Sequence, residues 1–215
     1  MRKTIVLACL LALIVAASAS ADVGLYNTGF SGSVLAGGAV DPHYILASTP
    51  DGSGPNALVV YNSGFPIPPW VANDSISEWI GPRADAANGS GVGDFTYEIM
   101  FNVWHVSTAA IVGVMASDNA SEIWLNGLDT GSGVAYQSGT AFSYDHWTPF
   151  SITTGFVSGL NTLDFVVNNA ACGGCTNPSG LRVEYSEVPS VPEPAAVFLM
   201  GTVLLGLAGA LKRRA

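Results

Sequence analysis

Between Phe95 and Val103 the chain alternates: Phe95, Tyr97, Ile99, Phe101 and Val103 on one parity, Thr96, Glu98, Met100 and Asn102 on the other. A period of two sets the aromatic and branched residues on the buried face of a strand and the others on a partly wet face. Leu181, Val183 and Tyr185 likewise oppose Arg182 and Glu184, and Ile123 and Leu125 oppose Glu122, Trp124 and Asn126. Asn126-Gly127 then offers the residue pair that a two-residue hairpin turn favours. His43–Ser48 and Ala57–Asn62 are β-prone runs divided by Pro50-Asp51-Gly52-Ser53-Gly54-Pro55, a dense turn signal. Ala109–Ala116 is apolar on both faces, which predicts a central strand, and Pro149–Thr154 and Leu160–Asn168 predict two more. No amphipathic helix of useful length interrupts this series. Eight to ten short strands predict an all-β fold, an antiparallel β-sandwich of jelly-roll type.

The two ends break the pattern. Arg2 and Lys3 precede an apolar run from Ile5 to Val15, and Ala19-Ser20-Ala21 ends it with small residues, so 1–21 read as a secretory signal peptide. At the other end Val191-Pro192-Glu193-Pro194 precedes an uncharged stretch from Ala195 to Leu211, then Lys212-Arg213-Arg214. That stretch is near the lower limit of a membrane-spanning helix, and the basic cluster is expected to stay cytoplasmic. The chain thus divides into signal peptide 1–21, sandwich 22–187, linker 188–194, transmembrane helix 195–211 and basic tail 212–215. The sandwich is flanked by a signal helix and a transmembrane helix and faces outward.

The C-terminal tripartite tail resembles the PEP-CTERM sorting signal of Gram-negative bacteria. The resemblance rests on Val191, Pro192, Glu193 and Pro194, the apolar helix, and Lys212, Arg213 and Arg214. It implies an exosortase as partner and processing near the Pro-Glu-Pro. It also implies membrane anchoring through the helix, then residence at the cell surface or in an exopolysaccharide or biofilm matrix.

Composition sharpens this. Only 11% of the residues are charged, and the formal net charge is −9, about half the usual charge density of a soluble domain. Without the two ends, Arg83 and Arg182 are the only basic residues against sixteen acidic ones, and no lysine is left. Such a surface repels phosphate, so no nucleic-acid partner is expected. Neutral glycans and divalent cations remain compatible with it. Cys172 and Cys175 frame Cys-Gly-Gly-Cys in a turn-rich stretch, which outside the cytoplasm favours a small-loop disulfide over redox-active thiols or a metal site.

A second resemblance covers roughly residues 93–186. Glu122-Ile123-Trp124-Leu125-Asn126-Gly127 and the later Gly159-Leu160-Asn161-Thr162-Leu163 look like the galactose-binding-domain-like jelly roll. In that fold the Leu-Asn-Gly hairpin and the strand after Gly-x-Asn-x-Leu lie side by side. The resemblance implies a fold and admits a structural Ca²⁺; it does not imply a ligand. Asp51, Asp74, Asp85, Asp94, Asp118, Asp129 and Asp145 lie in or beside turns, where they either bend the backbone locally or supply oxygens to Ca²⁺; no other cofactor is expected. Sugar recognition needs flat aromatic faces beside amides and carboxylates. Trp124 and Trp147, with Asn126 and Asp145, are the ligand-binding candidates, whereas Trp79 is expected in the core. No serine lies in a Gly-x-Ser-x-Gly elbow, and no catalytic residue is assigned.

These readings converge on an exported, non-catalytic β-sandwich that binds extracellular polysaccharide. A purely structural biofilm or cell-surface protein is the alternative, and a secreted glycan hydrolase the second alternative.

Overall fold

A computed structural model describes residues 23–134 and 143–190. The signal segment 1–21, the Pro-Glu-Pro motif, the apolar stretch 195–211 and the basic tail lie outside the described residues. Val23–Ser190 pack as one unit. Ten strands form within it: β1 Val40–Ser48, β2 Asn56–Val59, β3 Ile80–Gly81, β4 Gly93–Val103, β5 Ile111–Asp118, β6 Ala120–Leu125, β7 Leu128–Val134, β8 Thr148–Ile152, β9 Gly159–Asn169 and β10 Gly180–Glu187. They hydrogen-bond antiparallel in the order β7-β6-β9-β4-β1-β2-β3-β10-β5-β8. The short strands β2 and β3 carry the sheet from one layer to the other. Across the sandwich, the Phe150 ring of β8 meets Phe165 of β9 edge-on at 6.0 Å, and within the β9 layer Tyr44 of β1 approaches the same ring at 6.5 Å. The all-β antiparallel sandwich expected from the alternation is thus the fold observed.

The period-two reading holds residue by residue in β4. Phe95, Tyr97, Ile99, Phe101 and Val103 are at most 1% exposed. β4 pairs with β9 in an unbroken ladder from Gly93↔Asn169 to Val103↔Gly159, so Leu163, Phe165 and Val167 enter the same core. Each fully buried aliphatic or phenyl side chain contributes about 1.5–3 kcal/mol of hydrophobic stabilisation. The Asn126-Gly127 turn forms with both residues at positive φ (54° and 77°), linking β6 to β7. The strand after Gly159-Leu160-Asn161 does lie beside β6, with Leu125 opposite Leu163. β5 is flanked on both sides, by β10 and β8.

β10 departs from the simple two-face picture. Arg182 shares its outward face with Ala116 of β5, its register partner, yet Arg182 is fully buried. The segment between β2 and β3 covers that face. Pro66, Pro68 and Pro69 deny it a strand's hydrogen bonds. It lies across the sheet as irregular chain instead, carrying Ile67, Trp70 and Trp79 into a second apolar cluster with Val60, Ala86 and Ala116. Trp79 is fully buried, as expected. A Cβ at Gly180 would come within 2.7–2.8 Å of the Trp70 ring, so only glycine allows the indole to lie against β10.

Candidate functional site

The C-terminal end of β5, the start of β6 and the end of β7 open on a cleft of about 700 Å³. Its other walls come from the Phe65–Trp70 stretch, the Ser143–Pro149 stretch and the Ala170–Pro178 loop. That loop is closed by the Cys172–Cys175 disulfide, with Cα atoms 5.7 Å apart, as expected from the spacing.

Asp118, the last residue of β5, lines the cleft and is only 4% exposed. Its Oδ2 accepts a hydrogen bond from Trp70 Nε1 at 2.9 Å. Burial pushes the carboxyl up to about 7, and the indole bond offsets part of that effect. Its backbone carbonyl accepts the Ser179 hydroxyl at 3.1 Å, and Asn119 Oδ1 accepts Ala170 N–H at 2.9 Å. The neighbouring backbone is therefore tied to the disulfide loop and to the entry of β10.

Trp147 forms part of the wall and packs against the second cluster, as does Tyr144. The Arg182 guanidinium stacks over the Trp147 ring at 4.7 Å, a cation–π contact that fixes the plane of the indole. Arg182 itself donates to Ser77 Oγ at 2.7 Å, to Glu184 Oε1 at 3.2 Å and to the Ala72 carbonyl, and pairs with Asp74 at 3.0 Å. At the rim Asp145 holds His146 Nδ1 at 2.6 Å, both side chains about half exposed.

The four ligand candidates do not converge. Trp147 lines the cleft and Asp145 stands at its rim. Trp124 is four positions along β6 from the cleft residue Ala120, on the outer sheet face, where its Nε1 donates to Glu122 Oε2 at 3.1 Å. Cross-strand pairing puts Asp164 opposite Trp124 and Glu98 opposite Asp164. Burial, then the nearby Glu98 charge, raises the Asp164 pKa. Asn126 is committed to the fold: its Nδ2 donates to Gly155 O (3.0 Å) and Asn161 Oδ1 (2.9 Å), and its Oδ1 accepts Thr162 N–H (3.0 Å).

Sequence reasoning missed Trp70, Tyr144 and Arg182 at this site, and placed Asp118 only among the turn aspartates. The one available signal was Arg182, one of only two basic residues in the domain, set between Leu181 and Val183 on an alternating strand.

A structural Ca²⁺ fits poorly. Among the described residues no three His, Cys, Asp or Glu side chains converge as ligands. Asp51, Asp74 and Asp129 instead accept N–H groups of their own turns, from Ser53, from Ile76 and Ser77, and from Gly131. Asp85 and Asp94 are bonded by Asn88 and Asn168.

The tail is matched by a family model over residues 190–214. The chain carries a PEP-CTERM protein-sorting motif. Beyond the PEP-CTERM motif, no curated protein matches the chain. Solved structures similar to it include a CBM35 from Paenibacillus barcinonensis, at 15% identity and TM-score 0.34, covering 68% of this chain and 94% of the other. A family 35 carbohydrate binding module from an environmental isolate is 10% identical at TM-score 0.30, covering 78% and 97%. A β-glucosidase from Kluyveromyces marxianus is 11% identical at TM-score 0.34, covering 89% of this chain and 23% of the enzyme. Likeness at that level carries no assignment of ligand to the PEP-CTERM chain.

Proposed function

We propose that this is an exported surface protein whose sandwich binds extracellular polysaccharide, without catalysis, in the cleft beneath Trp147. The signal-like segment 1–21 delivers it across the inner membrane. The 195–211 helix anchors it, and an exosortase acts on the PEP-CTERM tail to release or transfer it to the cell surface or matrix. The observation that carries the binding reading is the composition of the cleft. Trp147 and Tyr144 offer aromatic surface beside the Asp118 carboxyl and the amides of Asn119 and Asn177, and neither Lys nor Arg lines it among the described residues. Aromatic faces stack on pyranose C–H faces, and the carboxyl and amides meet hydroxyls. The absence of a lining cation disfavours uronate and sulfated polymers.

The test uses the full chain purified in a detergent without a sugar head group, titrated with a panel of neutral, anionic and amino polysaccharides. Saturable binding lost in Trp147→Ala and retained in Trp124→Ala supports the cleft. Loss in Trp124→Ala alone moves the site to the outer face of β6, β9 and β4. No binding by a folded chain overturns the reading and leaves the structural alternative.

The hydrolase reading draws on one observation, the His146–Asp145 pair at the cleft rim. It gains nothing further, because no serine or second carboxylate is bonded to that imidazole among the described residues. Release of reducing ends from any panel member would favour it.

A further inference from the structure

Asp118 is the feature of the cleft that neutral-sugar binding leaves unexplained. A carboxyl this deep ordinarily has a cation or several N–H donors beside it, because an ionised carboxylate away from water is costly. Among the described residues its side chain has a single hydrogen-bond partner, the Trp70 indole, and no charged group stands next to it. The domain's buried cation is engaged elsewhere: Arg182 is held by Asp74, Glu184, Ser77 and the Trp147 ring. Arg83 is exposed and is not part of the cleft. The cleft therefore presents a buried acid without a counter-charge, in a domain that is acidic throughout.

We propose that the cleft selects a glycan bearing a free primary amine, an unacetylated amino sugar whose ammonium group pairs with the Asp118 carboxylate. This rests on the polysaccharide-binding reading and narrows it to one substrate class. An ammonium supplies the missing counter-charge and donates hydrogen bonds to a carboxylate, the stronger charge-assisted kind. An N-acetyl group at the same position offers one neutral N–H and extra bulk. A plain hydroxyl offers a weaker bond and no charge. The net negative charge of the domain adds long-range attraction for a polycation.

The pairing predicts a distinct pH profile. Carboxyl and amine share one proton in the complex, so affinity is greatest near neutrality. It falls in acid, where Asp118 keeps its own proton, and in alkali, where the amine has lost its proton. The other titratable groups facing this region are Tyr144, with Asp145 and His146 of the same stretch, and Tyr97 from β4. The disulfide loop and the walls from β6 and β7 contribute no ionisable side chain to the described lining.

The experiment titrates the full chain, in the same detergent, with glucosamine oligomers, their N-acetylated counterparts and glucose oligomers of equal length, from pH 5 to 9. The expected result is about tenfold or stronger preference for the free amine at neutral pH, the worth of one charge-assisted bond. That preference vanishes in Asp118→Asn, which keeps an oxygen for Trp70 but cannot ionise, while weak binding of all three oligomers persists. Equal binding of amine and N-acetyl forms, or an unchanged preference in Asp118→Asn, overturns the amine inference and leaves polysaccharide binding standing. Binding of none of the three, together with none of the wider panel, removes the parent reading. Should Asp118→Asn fail to fold, the wild-type profile decides: a bell for the amine oligomer and none for the N-acetyl oligomer supports the pairing, and parallel profiles overturn it.

Discussion

At the scale of single residues, Asp118 links site and stability. Its carboxyl titrates near 7 in the folded chain, against 3.8 for a free aspartate, because burial disfavours the charge. A raised carboxylate pKa means the folded state holds the proton more tightly. The contribution to stability is therefore full below about pH 4 and is lost as pH rises through about 7. The shift of about 3 pH units corresponds to roughly 4 kcal/mol at most. Asp118→Asn removes the titration and keeps the oxygen that accepts the Trp70 bond. Its stability relative to wild type, from urea midpoints, is expected to rise by about 2–4 kcal/mol between pH 4 and pH 8. A constant difference over that range would refute the assignment. Asp51 and Asp74 have pKa values lowered despite partial burial, Asp51 by the Ser53 hydroxyl and the Gly91 and Ser53 N–H groups and Asp74 by the Ile76 and Ser77 N–H groups and Arg182, so they titrate with the opposite sign and cancel in the comparison. None of this was legible in the sequence. Asp118 reads as one turn aspartate of seven, and the Trp70 indole that partners it lies 48 positions earlier. Trp124 was legible, because a period of two fixes its face. Asn126 was legible as a turn residue, but its three bonds to the 155–162 stretch depend on a partner segment that no local pattern specifies.

At the scale of elements, the strands rest on a strong local signal and the cover does not. β4, β6, β9 and β10 alternate, so their buried faces follow from residue order alone. Phe165 is expected to show the usual large-to-small penalty, about 3–5 kcal/mol for Phe165→Ala in chemical denaturation, since it meets Phe150 across the layers and Tyr44 within its own. β3, two residues long, was missed: its length gives no period to detect, and only pairing with β2 and β10 makes it a strand. The 60–79 cover was missed for a related reason. Its prolines announce that it is not a strand but say nothing of where its tryptophans go. Arg182 locks that cover to β10, through bonds to Ala72 and Ser77 and the pair with Asp74. Arg182→Ala leaves the Ala72 carbonyl without its Arg182 donor and removes the cation that pairs with Asp74 and Glu184, and a loss of about 3–5 kcal/mol is expected. It should also free the Trp147 ring, read as a change in near-ultraviolet circular dichroism. Gly180→Ala attacks the same seam from the opposite side by displacing Trp70, at an expected cost of about 1–3 kcal/mol. A neutral outcome for both would mean that the cover does not depend on this seam.

At the scale of the whole molecule, the segments read as addresses act through different physics from the sandwich, and were legible for that reason. A sorting motif, an apolar stretch and a basic terminus are recognised by composition and order, not by a fold, so a single sequence suffices to find them at the C-terminal end. The PEP-CTERM match over residues 190–214 agrees with that reading. Its three parts make separable predictions. On the proposed reading, the apolar stretch and Lys212, Arg213 and Arg214 set membrane insertion and orientation, since basic residues resist transfer across the membrane. The Pro-Glu-Pro does not add to insertion, because prolines disfavour helix and glutamate disfavours lipid. If an exosortase reads it, Pro192→Ala with Glu193→Ala should leave insertion intact and abolish processing. In the native host, the full-length chain then accumulates in the inner-membrane fraction, with its size unchanged on denaturing gels, while wild type appears at the surface in shortened form. Replacing the three basic residues by serine should instead lower the membrane-inserted fraction itself. A doubly substituted Pro-Glu-Pro chain that is still shortened and still reaches the surface would separate the motif from processing and leave the apolar stretch as an ordinary anchor.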